Sequence, residues 1–219
     1  MCDKIVHITR DECKITKVSL KPVWCITAVM MPLAVCGILV LTGGHWENSV
    51  MSAADTAALV TGSVMYLGLG AGIVEEVVFR GLVMSALEKR FHKIVAIIVP
   101  SVLFGVLHVI GNELDTRSIV QLLFAGSMVG ILFSLVAYES GNIWNGALIH
   151  AVWNISVSGL LHIGERADAQ AMYNYVLETD SFLLTGGDFG IEASVVSVGA
   201  YALFAVLAFV LWRAARKVV

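Results

Sequence analysis

The chain has 219 residues, of which 58% are hydrophobic and 14% charged, and its mean hydropathy is +0.85. A soluble domain carries roughly a quarter of its residues as charged side chains, so an ordinary cytosolic globule does not fit. The 14 Lys+Arg against 17 Asp+Glu leave a formal charge of −3, without the concentrated basic surplus of a nucleic-acid binder, and no nucleic-acid partner is expected. Cys2, Cys13, Cys25 and Cys36 show no CxxC spacing, which argues against a disulfide framework or a zinc finger. At about 20 residues per span plus loops, the chain can cross a bilayer at most about seven or eight times. A single membrane-embedded domain over 1–219 is the expectation.

Apolar runs broken by short polar stretches fall at about 23–43, 56–87, 94–111, 118–138, 143–163 and 191–212. They predict an all-α polytopic membrane helical bundle of about six transmembrane helices. The first run follows the basic segment 1–22, but it ends in Leu41-Thr42-Gly43-Gly44-His45 and is too long for a signal-peptide core, so it reads as a span. The second is longer than a bilayer needs and contains Glu75, Glu76 and Arg80, which predicts a tilted or bent helix. Gly68 with Gly72, and Gly126 with Gly130, are small-xxx-small pairs suited to close helix packing. Pro100 predicts a kink in the third run. The longest break, 164–190, reads as a solvated loop with a short helix around 168–178.

Basic residues set the orientation, because segments rich in Lys and Arg stay cytoplasmic. Lys4, Arg10, Lys14, Lys17 and Lys21, then Lys89, Arg90 and Lys93, then Arg213, Arg216 and Lys217 fall on one side. The other side has Arg117 and Arg166 among many acids, including Glu47, Asp115, Asp168, Glu178, Asp180 and Asp188. An even number of spans with both termini cytoplasmic fits this asymmetry, and the 139–142 break, which has no base, is neutral. Trp24, Trp46, Trp144 and Trp212 lie near span ends, where indoles sit at the headgroup level.

The informative residues are those that hydrophobicity alone would exclude. An acid or base inside a span costs about 2.5–3.5 kcal/mol on insertion scales and calls for a partner, a cavity or a function. Residues four apart share a helix face, so Glu76 and Arg80 read as a buried structural pair. Glu75, turned about 100° away, then faces a cavity. Phe104 with His108, and His150 with Asn154, repeat the four-residue spacing on the third and fifth runs. Glu75 and His108 each lie about 25 Å of helical rise from the turn that joins their runs, whereas His150 lies roughly 12 Å from its own break and needs tilt or a re-entrant start to meet them.

A carboxylate, two imidazoles and an amide gathered in the membrane are equipment for activating water. Glu75 would accept the proton, His108 would position the water or shuttle the proton, and His150 with Asn154 would donate to the oxyanion. An equally literal reading makes His108 and His150 ligands of a divalent metal such as zinc, with Glu75 a third ligand or the base. Both readings stay open in the sequence. His162 reads as a satisfied core residue.

Three ordered motifs, EExxxR at Glu75, Glu76 and Arg80, FxxxH at Phe104 and His108, and HxxxN at His150 and Asn154, resemble the CPBP family of intramembrane proteases. That family includes the CAAX prenyl endopeptidases and bacterial bacteriocin-processing or immunity proteins. The resemblance covers 75–154. It implies an all-helical membrane core and hydrolysis of a peptide bond in a membrane-associated peptide or protein. Glu75, His108, His150 and Asn154 would be catalytic and Glu76, Arg80 and Phe104 supporting, with or without a metal. The chain has fewer spans than the eukaryotic prenyl endopeptidases, so a CAAX substrate does not follow. The lipid bilayer is the expected surrounding, in the plasma membrane of a prokaryote. Two other classes share these features: a non-catalytic scaffold or bacteriocin-immunity protein that binds a partner in the same cavity, and a proton-coupled transporter. Internal symmetry would mark the transporter, and none is visible.

Overall fold

The computed structural model describes residues 9–217; the sequence readings placed on Cys2 and Lys4 lie outside the described residues. Its long helices are α1 (Pro22–Leu41), α2 (Ala53–Arg90), α3 (Lys93–Val109), α4 (Thr116–Ser140), α5 (Trp144–Trp153, continued as π-helix over Asn154–Leu160) and α6 (Val195–Ala215). Among the described residues α1, α2, α4 and α6 are long and apolar enough to cross a membrane, and the chain is an integral membrane protein. Each predicted run contains a helix, but two of them are short. α3 has 17 residues, and the apolar run behind α5 leaves the helix at Leu161 as a strand.

A small sheet, not foreseen in the sequence, caps one end. Its strands are β1 (Gly44–Asn48), β2 (Leu161–Gly164) and β3 (Tyr173–Leu177), in the order β1-β3-β2. β3 runs antiparallel to β1, with Trp46 opposite Tyr175, and parallel to β2, with Ile163 opposite Tyr175. It replaces the helix expected around 168–178. Tyr-Asn-Tyr-Val-Leu is aromatic and β-branched, which suits a pleated surface, and both of its edges find backbone partners. His162 lies on β2, half-buried, with Nε2 2.9 Å from the Arg166 carbonyl, and is not a core residue.

The core joins α1, α4, α5 and α6 around Trp24, Met31, Leu132, Ile149, Trp153 and Tyr201. Trp24 is therefore not an interfacial indole: it is fully buried, and its Nε1 donates to Glu139 Oε2 at 2.7 Å. The small-residue pairs act as expected. A Cβ on Gly126 would stand 2.7 Å from Gly105 Cα, and one on Gly130 would stand 2.7 Å from Ser101 Cα, so α3 and α4 meet backbone to backbone. α3 continues helically through Pro100.

α2 is not a uniform helix. π-helical stretches at Ser63–Ala71 and Val77–Val83 flank a single α-helical turn, Gly72–Glu76, which carries both glutamates. A π-turn takes more residues than an α-turn and shifts the side chains that follow, and such turns recur at functional sites. Gly72 lets this turn approach α5 closely: a Cβ there would sit 3.0 Å from the Ala151 amide nitrogen.

Candidate active site

The site forms where the Gly72–Glu76 turn of α2 meets the middle of α5. Glu76 and Arg80, four apart and both fully buried, pair at 2.9 Å between Oε1 and Nη1. The Arg80 Nη2 donates to the Gly130 carbonyl of α4 at 3.1 Å. Its guanidinium lies over the rings of Phe104, Phe133 and Phe79 at 4.8, 5.2 and 5.7 Å. Cation–π contact of this kind helps offset the loss of hydration of a buried charge. The Glu76 Oε2 approaches to within 3.1 Å of where a Cβ on Gly146 would lie, so the glycine makes room for the carboxylate.

Glu76 does more than hold Arg80. The same Oε1 lies 3.3 Å from His150 Nδ1, so the ring's other nitrogen is directed away from the pair. His150 Nε2 faces Glu75 Oε2 at 3.7 Å, longer than a direct hydrogen bond. That Glu75 oxygen is buried and has no hydrogen-bond partner, while the side chain as a whole is 30% exposed. A buried acceptor without a donor is a place to bind one. Phe133 stacks on the His150 ring at 5.0 Å and 19° and fixes its plane.

His108 reaches the same place from α3. Its Nδ1 is 2.8 Å from the Phe104 carbonyl. A carbonyl can only accept, so Nδ1 carries the hydrogen and the neutral ring presents the Nε2 lone pair. Phe104 stands between the two histidines, 4.4 Å from the His108 ring and 5.9 Å from the His150 ring. Asn154 opens the π-helical part of α5, and its Nδ2 donates to the Leu67 carbonyl at 3.0 Å, joining the π stretches of α2 and α5. His108, His150, Asn154 and Phe104 all line one cavity of about 50 Å³. Glu75 is not in that lining and joins the group through His150.

Several contributors went unnoticed in the sequence. Phe133, the Gly130 carbonyl and Gly146 are ordinary residues of apolar runs with no polar mark. Glu192 and Phe189 also line the cavity. Glu192 accepts from Trp153 Nε1 at 3.0 Å and from Ser158 Oγ at 2.8 Å; an acid at the start of the last apolar run was its only signal.

A metal does not fit these donors as they stand. Among the described residues no three His, Cys, Asp or Glu side chains are grouped as the ligands of one ion. A zinc site needs three protein ligands at about 2.0–2.2 Å. No step below is routed through a metal.

No curated protein and no solved structure matches the chain. Residues 57–156, the stretch that holds all three motifs, match the family model described as type II CAAX prenyl endopeptidase Rce1-like.

Proposed function

We propose that the chain is an intramembrane endopeptidase in which Glu75 activates water against the peptide bond of a membrane-associated peptide or protein. The match of residues 57–156 to a prenyl endopeptidase family model supports hydrolysis as the general activity. The observation that carries the residue assignment is the unpartnered Glu75 Oε2 facing His150 Nε2, with His150 itself held from behind by Glu76. In this reading the Glu75 carboxylate takes a proton from water while the water oxygen bonds to the scissile carbonyl carbon. The electron pair of the carbonyl moves to its oxygen, where the second N–H of Asn154 stabilises the oxyanion, while the His150 Nε2 lone pair accepts from the attacking water. Collapse of the intermediate breaks the C–N bond, and the proton passes to the leaving amine directly from Glu75 or through the His108 Nε2. Glu76 and Arg80 act through His150 and hold its tautomer.

Replacement of Glu75 by Gln tests the base. Membrane and secreted peptides are compared between cells that make the wild type and cells that make Glu75→Gln. New termini that depend on Glu75, with equal amounts of inserted protein, are the expected result. Identical peptide profiles with both proteins would reject hydrolysis at this site and leave the partner-binding scaffold as the reading of the cavity.

A further inference from the structure

The cavity that holds His108, His150 and Asn154 measures about 50 Å³. A water needs about 10–15 Å³ of such space, so there is room for a water and none for a length of peptide. A peptide substrate therefore needs more room than this cavity alone provides. Beside it, at the sheet end, lies a hollow of about 750 Å³, and Phe189 and Glu192 line both spaces. A third hollow of about 240 Å³ opens between Leu59 and Leu67 of α2 and shares Val157, Ser158, His162 and Asp168 with the large one. The three spaces run in series from the flank of α2 to the histidines.

The two shared wall residues differ in how firmly they are held. Glu192 is fixed by Trp153 and Ser158 through its carboxylate, and its carbonyl accepts from Tyr201 Oη at 3.2 Å. The Phe189 ring lies edge-on to His108 at 6.4 Å. It sits at the end of a three-residue 3₁₀ turn and is followed by Gly190, whose φ is +91° and around which nothing lies within 4 Å of a Cβ position. That backbone conformation is open to glycine and rarely to other residues. The preceding residue is anchored, because the Asp188 amide donates to Ser118 Oγ at 3.0 Å. The ring thus stands on an anchored stem beside a glycine with open space around it. β2 lies at the edge of the sheet, and His162, Ile163 and Gly164 line the large hollow. An extended peptide there has a strand edge to pair with, the usual way to hold a chain without reading its side chains.

We propose that an extended peptide substrate reaches the histidines from the sheet end, and that Phe189 closes the inner cavity and selects the side chain beside the scissile bond. The proposal rests on the hydrolytic reading for its selectivity and on geometry alone for the entry route, so the two are tested separately. The route is tested without catalysis: His108→Cys is placed in a chain whose native cysteines are replaced by Ser, and labelled in sealed vesicles of either orientation with a membrane-impermeant thiol reagent. Labelling should proceed from the side that labels Ala169→Cys and should quicken several-fold when Phe189→Ala is added. Labelling from the opposite side, or a rate indifferent to Phe189, overturns the route. Selectivity is tested on pairs of cleaved peptides that carry a small or a bulky residue beside the cut. Phe189→Ala should shift the kcat/KM ratio toward the bulky member by about tenfold or more, and Phe189→Trp should shift it the other way, both at wild-type melting temperature. An unchanged ratio with active enzyme overturns the selection and leaves hydrolysis standing, whereas gated labelling with no cleavage by the wild type overturns hydrolysis.

Discussion

Arg80 is a charge with no exposure inside a membrane span, and everything that makes it tolerable is a specific neighbour: Glu76 Oε1, the Gly130 carbonyl and three aromatic faces. The four-residue spacing made the Glu76 pair readable in the sequence. The rest was not, because Gly130 is 50 positions away and His150 is 74 positions from Glu76, and no local pattern reports such separations. The pair's second task, holding His150 by Nδ1, follows only from that distant contact. Removing one partner of a buried pair leaves the other charge stranded, at a cost of about 3–5 kcal/mol. Arg80→Ala should therefore lower the detergent-solubilised melting temperature sharply, and Arg80→Lys should recover part of it, since a single ammonium cannot serve Glu76 and Gly130 with the same fork. A wild-type melt for Arg80→Ala would show that Glu76 has another source of compensation.

At the scale of elements, the helices were legible and the sheet was not. Long apolar runs report a helix by themselves, whereas β3 exists because residues 44–48 and 161–164 come to its two edges from far along the chain. The π-helical stretches were equally hidden, although a run too long for the bilayer and loaded with acids marked α2 as irregular. The start of α4 shows how the sheet end is tied to the bundle. Asp115 caps the helix by accepting from the Ser118 amide at 2.7 Å, and its own amide donates to Asp188 Oδ2 at 2.8 Å, which joins α4 to the turn that bears Phe189. The Ser118 bonds, with help from Arg117, hold the Asp115 carboxyl below its usual range. A depressed value means that the unfolded chain takes up its proton first as pH falls. The capping contribution is therefore full above the ordinary Asp value of about 3.9 and is lost below it, through the lower folded value. Wild-type melting temperature should fall on acidification through that window, and Asp115→Asn, which titrates nothing, should start lower and fall less. Parallel curves for the two proteins would remove Asp115 as a source of the acid sensitivity.

Across the whole molecule the basic residues collect at one end. Lys14 pairs with Glu88 at 3.3 Å and Lys89 with Glu12 at 3.1 Å, and Lys93 lies over the Tyr138 and Trp212 rings. The 139–142 break, which has no base, belongs to the same end: Lys21 Nζ reaches Glu139 Oε1 at 2.6 Å, and Asn142 and Asn145 donate to the Ser19 carbonyl. The sheet, with its acidic loops, forms the other end. The chain therefore passes from end to end in each of α1 to α6, although only four of these helices are long enough by length and composition to span alone. α3, at about 25 Å of rise, and the α5 helix with its π continuation complete the alternation. Positive charge is retained in the cytoplasm, so the basic end should face inward. An impermeant thiol reagent applied to intact cells should label Ala169→Cys, in the exposed loop between β2 and β3, and should spare Lys217→Cys until the membrane is inverted. Labelling of both positions from outside would mean an odd number of crossings, and labelling of Lys217→Cys alone would turn the sheet, and the entrance beside it, toward the cytoplasm.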